Sequence, residues 1–348
     1  FNFANLIKCV IFKLELLKQV AAFNFMKIIP ASIKLQRGTF FICLMLVASS
    51  SFFAFTKSNK EITEAELGQL LFNDKILSGK QTISCASCHK PEYAFSDTVA
   101  FSKGDLGKLG KRNAPSLTNL SERDFFFFDG RVATLEEQVP VPITDALEMN
   151  LPMHKAVERL NASAKYAPLF QKVYGQAPSA ELLSKAIAAF ERTLETSNSA
   201  WDRYAKGDKK AVSSAVLRGR KIFNTKGKCF DCHSGVDFTN DDFRNIGLYN
   251  GNDFNDKGRA DFTQKNEDVG KFKVPGLRNV AVTAPYMHNG MFASIREVLE
   301  YYNNPTAFVG GSINTDSLLV APLNLSKQEI DDLEAFLNSL TDSRFIKE

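Results

Sequence analysis

At 348 residues, 44% apolar and 24% charged, the chain has about two domains' worth of ordinary globular composition, which excludes a disordered or collagen-like protein. Forty-three basic against 39 acidic residues leave a net charge of +4, spread along the chain without an arginine-rich block, so there is no nucleic-acid footprint. What carries information is a short inventory of six cysteines, four histidines and one tryptophan.

The first methionine is Met26. Lys27, Lys34 and Arg37 follow it, then the apolar run 39–55 with small residues at 48–51 and at Ala54. That order is an export signal, with 1–25 as upstream read-through, so 1–56 is set apart from the fold. The apolar run is near the short limit for spanning a bilayer, which leaves an uncleaved anchor as the alternative. Both readings place the folded part outside the cytoplasm, in the periplasm. Cys9 and Cys43 belong to this segment, so no disulfide scaffold is expected beyond it.

The other four cysteines and two of the histidines fall in two pentapeptides, Cys85-Ala86-Ser87-Cys88-His89 and Cys229-Phe230-Asp231-Cys232-His233. Two thiols at this spacing can each form a thioether to a porphyrin, and the adjacent histidine can then reach its iron; this is the c-type haem attachment signature. A thioredoxin-like pair has no use for the histidine twice, and a structural zinc site would need ligands converging from both pentapeptides. Two c-type haems are therefore expected.

The flanking sequence repeats. Leu71-Phe72-Asn73-Asp74-Lys75 precedes the first site as Ile222-Phe223-Asn224-Thr225-Lys226 precedes the second. Beyond the sites, Lys111, 114–117 and Asn119 match Lys273, 274–277 and Asn279, and 130–134 with Glu137 match 290–294 with Glu297. Thr134 to Glu137 and Ser294 to Glu297 are capping boxes that open helices. Leu182, Leu183, Ala186, Ala189 and Phe190 show helical spacing, as do Ile330, Leu333, Phe336, Leu337 and Leu340; no long alternating strand pattern appears. The fold class is mostly α: two cytochrome c-like domains, 57–205 and 206–348, each with one covalent haem, joined through the polar stretch 201–214.

Taken together, these residues resemble the bacterial di-haem cytochrome c peroxidase and MauG-like family from about Leu67 to Leu340. The resemblance rests on Arg112-Asn113-Ala114-Pro115-Ser116, Phe128-Asp129-Gly130-Arg131, Leu135-Glu136-Glu137-Gln138, Glu148-Met149, Phe272-Lys273-Val274-Pro275, Leu277-Arg278-Asn279-Val280 and Pro285-Tyr286-Met287-His288. It implies that the N-terminal haem meets hydrogen peroxide and the C-terminal haem supplies electrons. It further implies that His89 and His233 are proximal ligands and that Gln138 and Glu148 line the distal face of the first haem. Peroxide cleavage needs a proton moved from the inner to the outer oxygen, work suited to a carboxylate with an amide to orient the substrate. A calcium ion between the haems is implied as well, held by the Asn113 side chain and the carbonyls of Thr283 and Pro285. A reduced small cytochrome c or cupredoxin is the implied electron donor, and a homodimer is left open.

Several positions depart from the family pattern. Where many members carry a histidine that blocks the peroxide-binding iron, this chain has Asp105; His154 is expected to be exposed and His288 belongs to the second half. The first iron is therefore expected to lack a sixth protein ligand. Opposite His233 the alignment places Tyr302, and helical phase puts Ile295, Val298, Leu299 and Tyr302 on one face while Tyr301 points elsewhere. Met287, Met291 or no protein ligand, with Tyr302 a core residue, are the alternatives. Phe128 stands where a tryptophan is usual between the haems, Gly227 where MauG has its surface tryptophan, and the run Phe125 to Phe128 reads as buried packing. Three functions stay open: a peroxidase, a MauG-like oxidase of a partner protein or metabolite, and an electron carrier.

Overall fold

The computed structural model describes residues 61–346; the expected export segment lies outside them. Among the described residues nearly all the regular structure is helical, and the one strand ladder is a two-residue antiparallel pair, Phe243–Arg244 with Phe272–Lys273, in the register Phe243 to Lys273.

Two helix crossings organise the chain, and they are copies of each other. Thr63 and Glu66 form a capping box that starts the helix Glu64–Asn73, whose buried face of Leu67, Leu71 and Phe72 lies on the helix Ala180–Glu191. In the second half Ser214–Asn224 crosses Lys327–Asn338 in the same way. Contact at each crossing depends on a glycine: a Cβ at Gly68 would overlap the Ala186 carbonyl, and one at Gly219 would overlap the Asp332 carbonyl. Phenylalanines fill the crossings, with Phe72 and Phe190 at 5.1 Å and Phe223 and Phe336 at 5.2 Å. Each such ring contributes about 1.5–3 kcal/mol by leaving water.

Both expected capping boxes form. Thr134 and Glu137 open Leu135–Gln138, and Ser294 and Glu297 open Ile295–Asn303. The second helix runs on, whereas the first gives way after Gln138 to the short helix Pro140–Thr144, because Pro140 and Pro142 have no amide hydrogen to continue the ladder. The stretch expected to join the halves begins as structure: helix Ala200–Ala205 sets Trp201 edge-on to Phe336 at 5.1 Å, and the polar turn follows it.

The halves meet at Asn119 and Asn279, both in the left-handed region at φ 58° and 63°. Their amides donate to the carbonyls of Leu194 and Leu340 at 3.1 Å. Thr196 joins them, its hydroxyl donating to Asn119 Oδ1 at 2.5 Å and accepting from Asn279 Nδ2 at 3.1 Å. Around this seam Arg123 pairs with Asp237 and Asp241, and Arg278 with Asp202 and Asp237. Among the described residues no helix is long and apolar enough to cross a membrane.

Candidate active site: two attachment motifs on one cavity

Cys85–Cys88 is a single helical turn, and the His89 amide closes it by donating to the Cys85 carbonyl at 2.9 Å; the His233 amide donates to the Cys229 carbonyl at 2.8 Å. That turn sets both thiols and the histidine of each motif on one wall. The chain then folds back through a left-handed phenylalanine, Phe95 or Phe238, each at φ 57°. Their carbonyls accept from His89 Nδ1 and His233 Nδ1, each at 3.0 Å. A carbonyl can only accept, so Nδ1 carries the hydrogen and Nε2 keeps its lone pair for a metal. Burial lowers the pKa of both imidazoles, favouring that neutral form.

Burial also pushes the Cys85 and Cys229 thiols up to about 12, with Cys88 and Cys232 raised as well. A thiol-disulfide reagent needs the opposite shift, so the two CxxC pairs are poor redox dithiols, and all four sulfurs are free of disulfides. Among the described residues no group of three or more His, Cys, Asp or Glu is placed to hold a metal ion.

Both motifs open onto one continuous cavity of about 1140 Å³, more than an ordinary small-ligand pocket of about 300–1,000 Å³. Two porphyrins fit this donor set and this space. The same walls carry Gln138, Glu148, Asn113, Thr283, Pro285 and Tyr302, so every site residue expected from the sequence faces one interior. Glu148 is open to the cavity yet ringed by protein; this burial, with the Asp145 carboxylate nearby, holds its carboxyl above the usual carboxylate range. Asn113 donates from Nδ2 to the Val99 carbonyl at 3.0 Å, which leaves Oδ1 as its free acceptor, and its amide donates to the His288 carbonyl at 2.7 Å. An amide oxygen and two carbonyls are the hard donors that calcium takes.

Tyr302 lines the cavity beside Val298, while Tyr301 is fully buried and donates to the Ile246 carbonyl at 2.5 Å. Burial drives the Tyr302 phenol above its ordinary range, so it stays neutral unless a cation meets it. Met287 also lines the wall; Met291 is outside the lining. Asp105 is turned away from the cavity, its carboxylate accepting from the Lys80 amide at 2.6 Å and the Thr82 hydroxyl at 2.5 Å. His154 is exposed, and His288 is buried against Phe272, the rings stacked at 3.8 Å. Arg112 ties this region together, forking onto Asp256 at 2.7 Å and reaching Asp129 at 2.7 Å.

Three features differ from expectation or stand outside it. Of the run Phe125 to Phe128 only Phe126 is fully buried; all four line the cavity wall, because the left-handed turn at Phe127 spreads the run around it. Pro142 also lines the cavity, as does a buried carboxylate, Glu191. The charge at Glu191 was legible, since Ala189-Phe190-Glu191 matches Ala335-Phe336-Leu337 with a charge in place of an apolar residue.

The comparisons agree with this geometry. Residues 63–210 match the family model for di-haem cytochrome c peroxidase, and residues 216–341 match that for cytochrome c. The methylamine utilization protein MauG of Methylorubrum extorquens is 38% identical over 79% of this chain and 77% of its own length. The cytochrome c551 peroxidase of Nitrosomonas europaea is 33% identical over 83% of this chain and 82% of its own. Among solved structures, a MauG-like protein associated with microbial copper homeostasis superimposes with a TM-score of 0.74 at 32% identity, covering 81% of this chain and 92% of that one. Two attachment motifs on one cavity, in a duplicated helical fold with relatives of these kinds, make this chain a peroxidase-type oxidoreductase of the di-haem cytochrome c peroxidase and MauG-like family, whose members carry two c-type haems.

Proposed function

We propose that the chain reduces hydrogen peroxide to water, with the haem on Cys85, Cys88 and His89 as the peroxide site and the haem on Cys229, Cys232 and His233 as the electron relay. A reduced small cytochrome c or cupredoxin would supply the electrons. The observation that carries this reading is the convergence of Glu148 and Gln138 on the cavity that His89 faces. When bound, the haem supplies an iron at which the oxygen–oxygen bond can be broken by electrons. Glu148 takes the proton of the inner oxygen and returns it to the outer one, which then leaves as water; the Gln138 amide orients the peroxide. Asp105, held on the Lys80 and Thr82 loop, does not block the iron. Calcium would sit between the haems on Asn113 Oδ1 and the Thr283 and Pro285 carbonyls, as an oriented, charged brace of the wall. The two-domain division near residue 206 and a periplasmic location belong to the same reading; c-type attachment is made outside the cytoplasm.

A MauG-like oxidation of a partner molecule is the second reading, favoured by Tyr302 on the wall of the second haem site. Phe128 and Gly227 weigh against it, since neither residue is readily oxidised. Mixing the di-haem protein with peroxide and a panel of reduced donors separates the two. Peroxide consumption matched by donor oxidation is expected; a long-lived oxidised spectrum with no donor turnover would overturn the peroxidase reading in favour of the second.

A further inference from the structure

Glu191 ends the helix Ala180–Glu191, is 4% exposed and lines the cavity beside Cys85. Its Oε2 is buried with no hydrogen-bond partner. The groups acting on its charge are Arg192, which Glu136 holds in a two-pronged pair at 2.7 and 2.8 Å, Glu136 itself, and the Cys85 thiol. With its fork spent on Glu136, Arg192 gives Glu191 no hydrogen bond. The duplicated fold supplies an internal control: Phe190 and Phe336 both seat the crossing glycines, and the next residue is Glu191 in the first half and Leu337, buried in the apolar core, in the second. A leucine satisfies the fold at this step. The first half instead keeps a carboxylate in a place where a charge is costly.

We propose that Glu191 is the proton partner of the first haem: when that haem accepts an electron the Glu191 carboxylate takes up a proton, and it releases the proton when the electron leaves. This rests on the peroxidase reading above. One electron arrives from the reduced donor by way of the second haem and one proton from water, so ferric iron and carboxylate become ferrous iron and carboxylic acid with no net change in charge. Two such transfers supply the two electrons and two protons that peroxide needs to leave as two waters. In a poorly solvated site an added electron raises the affinity of a nearby acid for its proton, and by linkage the proton favours the electron. Burial lifts the Glu191 carboxyl to about 8, so the carboxylate that takes up the proton is populated toward and above that pH, and the coupling should be strongest on the alkaline side of the range.

Spectroelectrochemical titration of the di-haem protein from about pH 5 to about pH 10 tests this. The midpoint potential of the first haem should fall with pH, approaching about 59 mV per unit at the steepest part, as one proton per electron requires, while the second haem stays flat. Glu191→Gln and Glu191→Leu, the latter installing what the second half already uses, should flatten the first haem's profile with both haem spectra intact. An infrared difference band of a protonated carboxyl should appear on reduction and be missing in both variants. A flat wild-type profile, or a slope that survives in both variants, overturns the proposal; so does a slope lost in Glu148→Gln but kept in the Glu191 variants. Mass analysis keeps the two failures apart, since a chain lacking haem at Cys85 and Cys88 sinks the peroxidase reading, whereas a pH-independent first haem in a fully loaded chain sinks this inference alone.

Discussion

Pro142 and Tyr302 occupy the same step of the repeat, eight residues beyond the capping hydroxyls of Thr134 and Ser294, and both line the cavity. The position that offers a phenol oxygen to one haem site offers a ring with no donor atom to the other. On the proposed reading, that single difference would separate a filled coordination sphere from an open one.

The pair therefore predicts opposite outcomes. Tyr302→Phe should abolish a tyrosinate-type absorption of the second haem and raise its potential, because an anionic oxygen favours ferric iron. Pro142→His should convert the first haem to a low-spin spectrum and slow peroxide turnover by more than about tenfold, by giving its iron a sixth ligand. Optical and electron paramagnetic resonance spectra read both variants; an unchanged second-haem spectrum in Tyr302→Phe would show that Met287 or no residue is the ligand.

In the proposed peroxide cleavage Glu148 accepts a proton, so it must start ionised. Its carboxyl is held above the ordinary value of 4.5 by burial and by Asp145, which moves the acid limb of the pH–rate profile upward. Turnover should fall as pH drops through this raised value, since the protonated acid cannot take the inner proton. Glu148→Gln should cost about 10²–10⁴-fold in kcat and remove that limb. Gln138→Leu, which loses only an orienting hydrogen bond, should cost about tenfold and keep the limb. Stopped-flow peroxide consumption across pH decides it.

Much of this was legible in the sequence because the residues concerned do local work. CxxCH needs one helical turn, and the capping boxes Thr134–Glu137 and Ser294–Glu297 need three residues each, so both formed as expected. The helical phase that set Tyr302 apart from Tyr301 held for the same reason. What the sequence did not disclose depends on contacts between distant segments. The Phe125 to Phe128 run spreads around the cavity because of the positive φ at Phe127, which no side-chain pattern announces. Trp201 joins the second core because Phe336 comes to meet it. Pro142 was one proline of the short helix Pro140–Thr144 until the repeat matched its step to that of Tyr302, and the charge at Glu191, visible against Leu337, gained its meaning only from burial that leaves Oε2 without a hydrogen-bond partner.

The crossing glycines predict a shared failure. Gly219→Ala puts a methyl into the Asp332 carbonyl and Gly68→Ala puts one into the Ala186 carbonyl, neither of which can move without parting its helix pair. Each should destabilise its half by about 3 kcal/mol. Thermal unfolding followed at the haem bands should show a lowered Tm for both, and Gly175→Ala, where a Cβ meets nothing within 4 Å, should be far milder despite its φ of +67°.

Asn113 links the calcium proposal to the peroxide site, since its amide is fixed on the His288 carbonyl and its Nδ2 on Val99, leaving Oδ1 in one orientation. Thr283 and Pro285 enter the same cavity from the second half, so an ion held by all three would clamp segments 170 residues apart in the chain. Treatment with a calcium chelator should slow peroxide turnover and broaden the haem spectra, and added calcium should restore both. Asn113→Ala should weaken calcium binding by at least about tenfold and make turnover indifferent to the chelator. Because Nδ2 also braces Val99, Asn113→Asp is the sharper variant: it loses that donor yet keeps an oxygen for the ion, so it should retain calcium dependence. A protein whose metal content and turnover are untouched by the chelator, with Asn113→Ala behaving as wild type, would remove the ion from the account and leave Asn113 as a brace between segments.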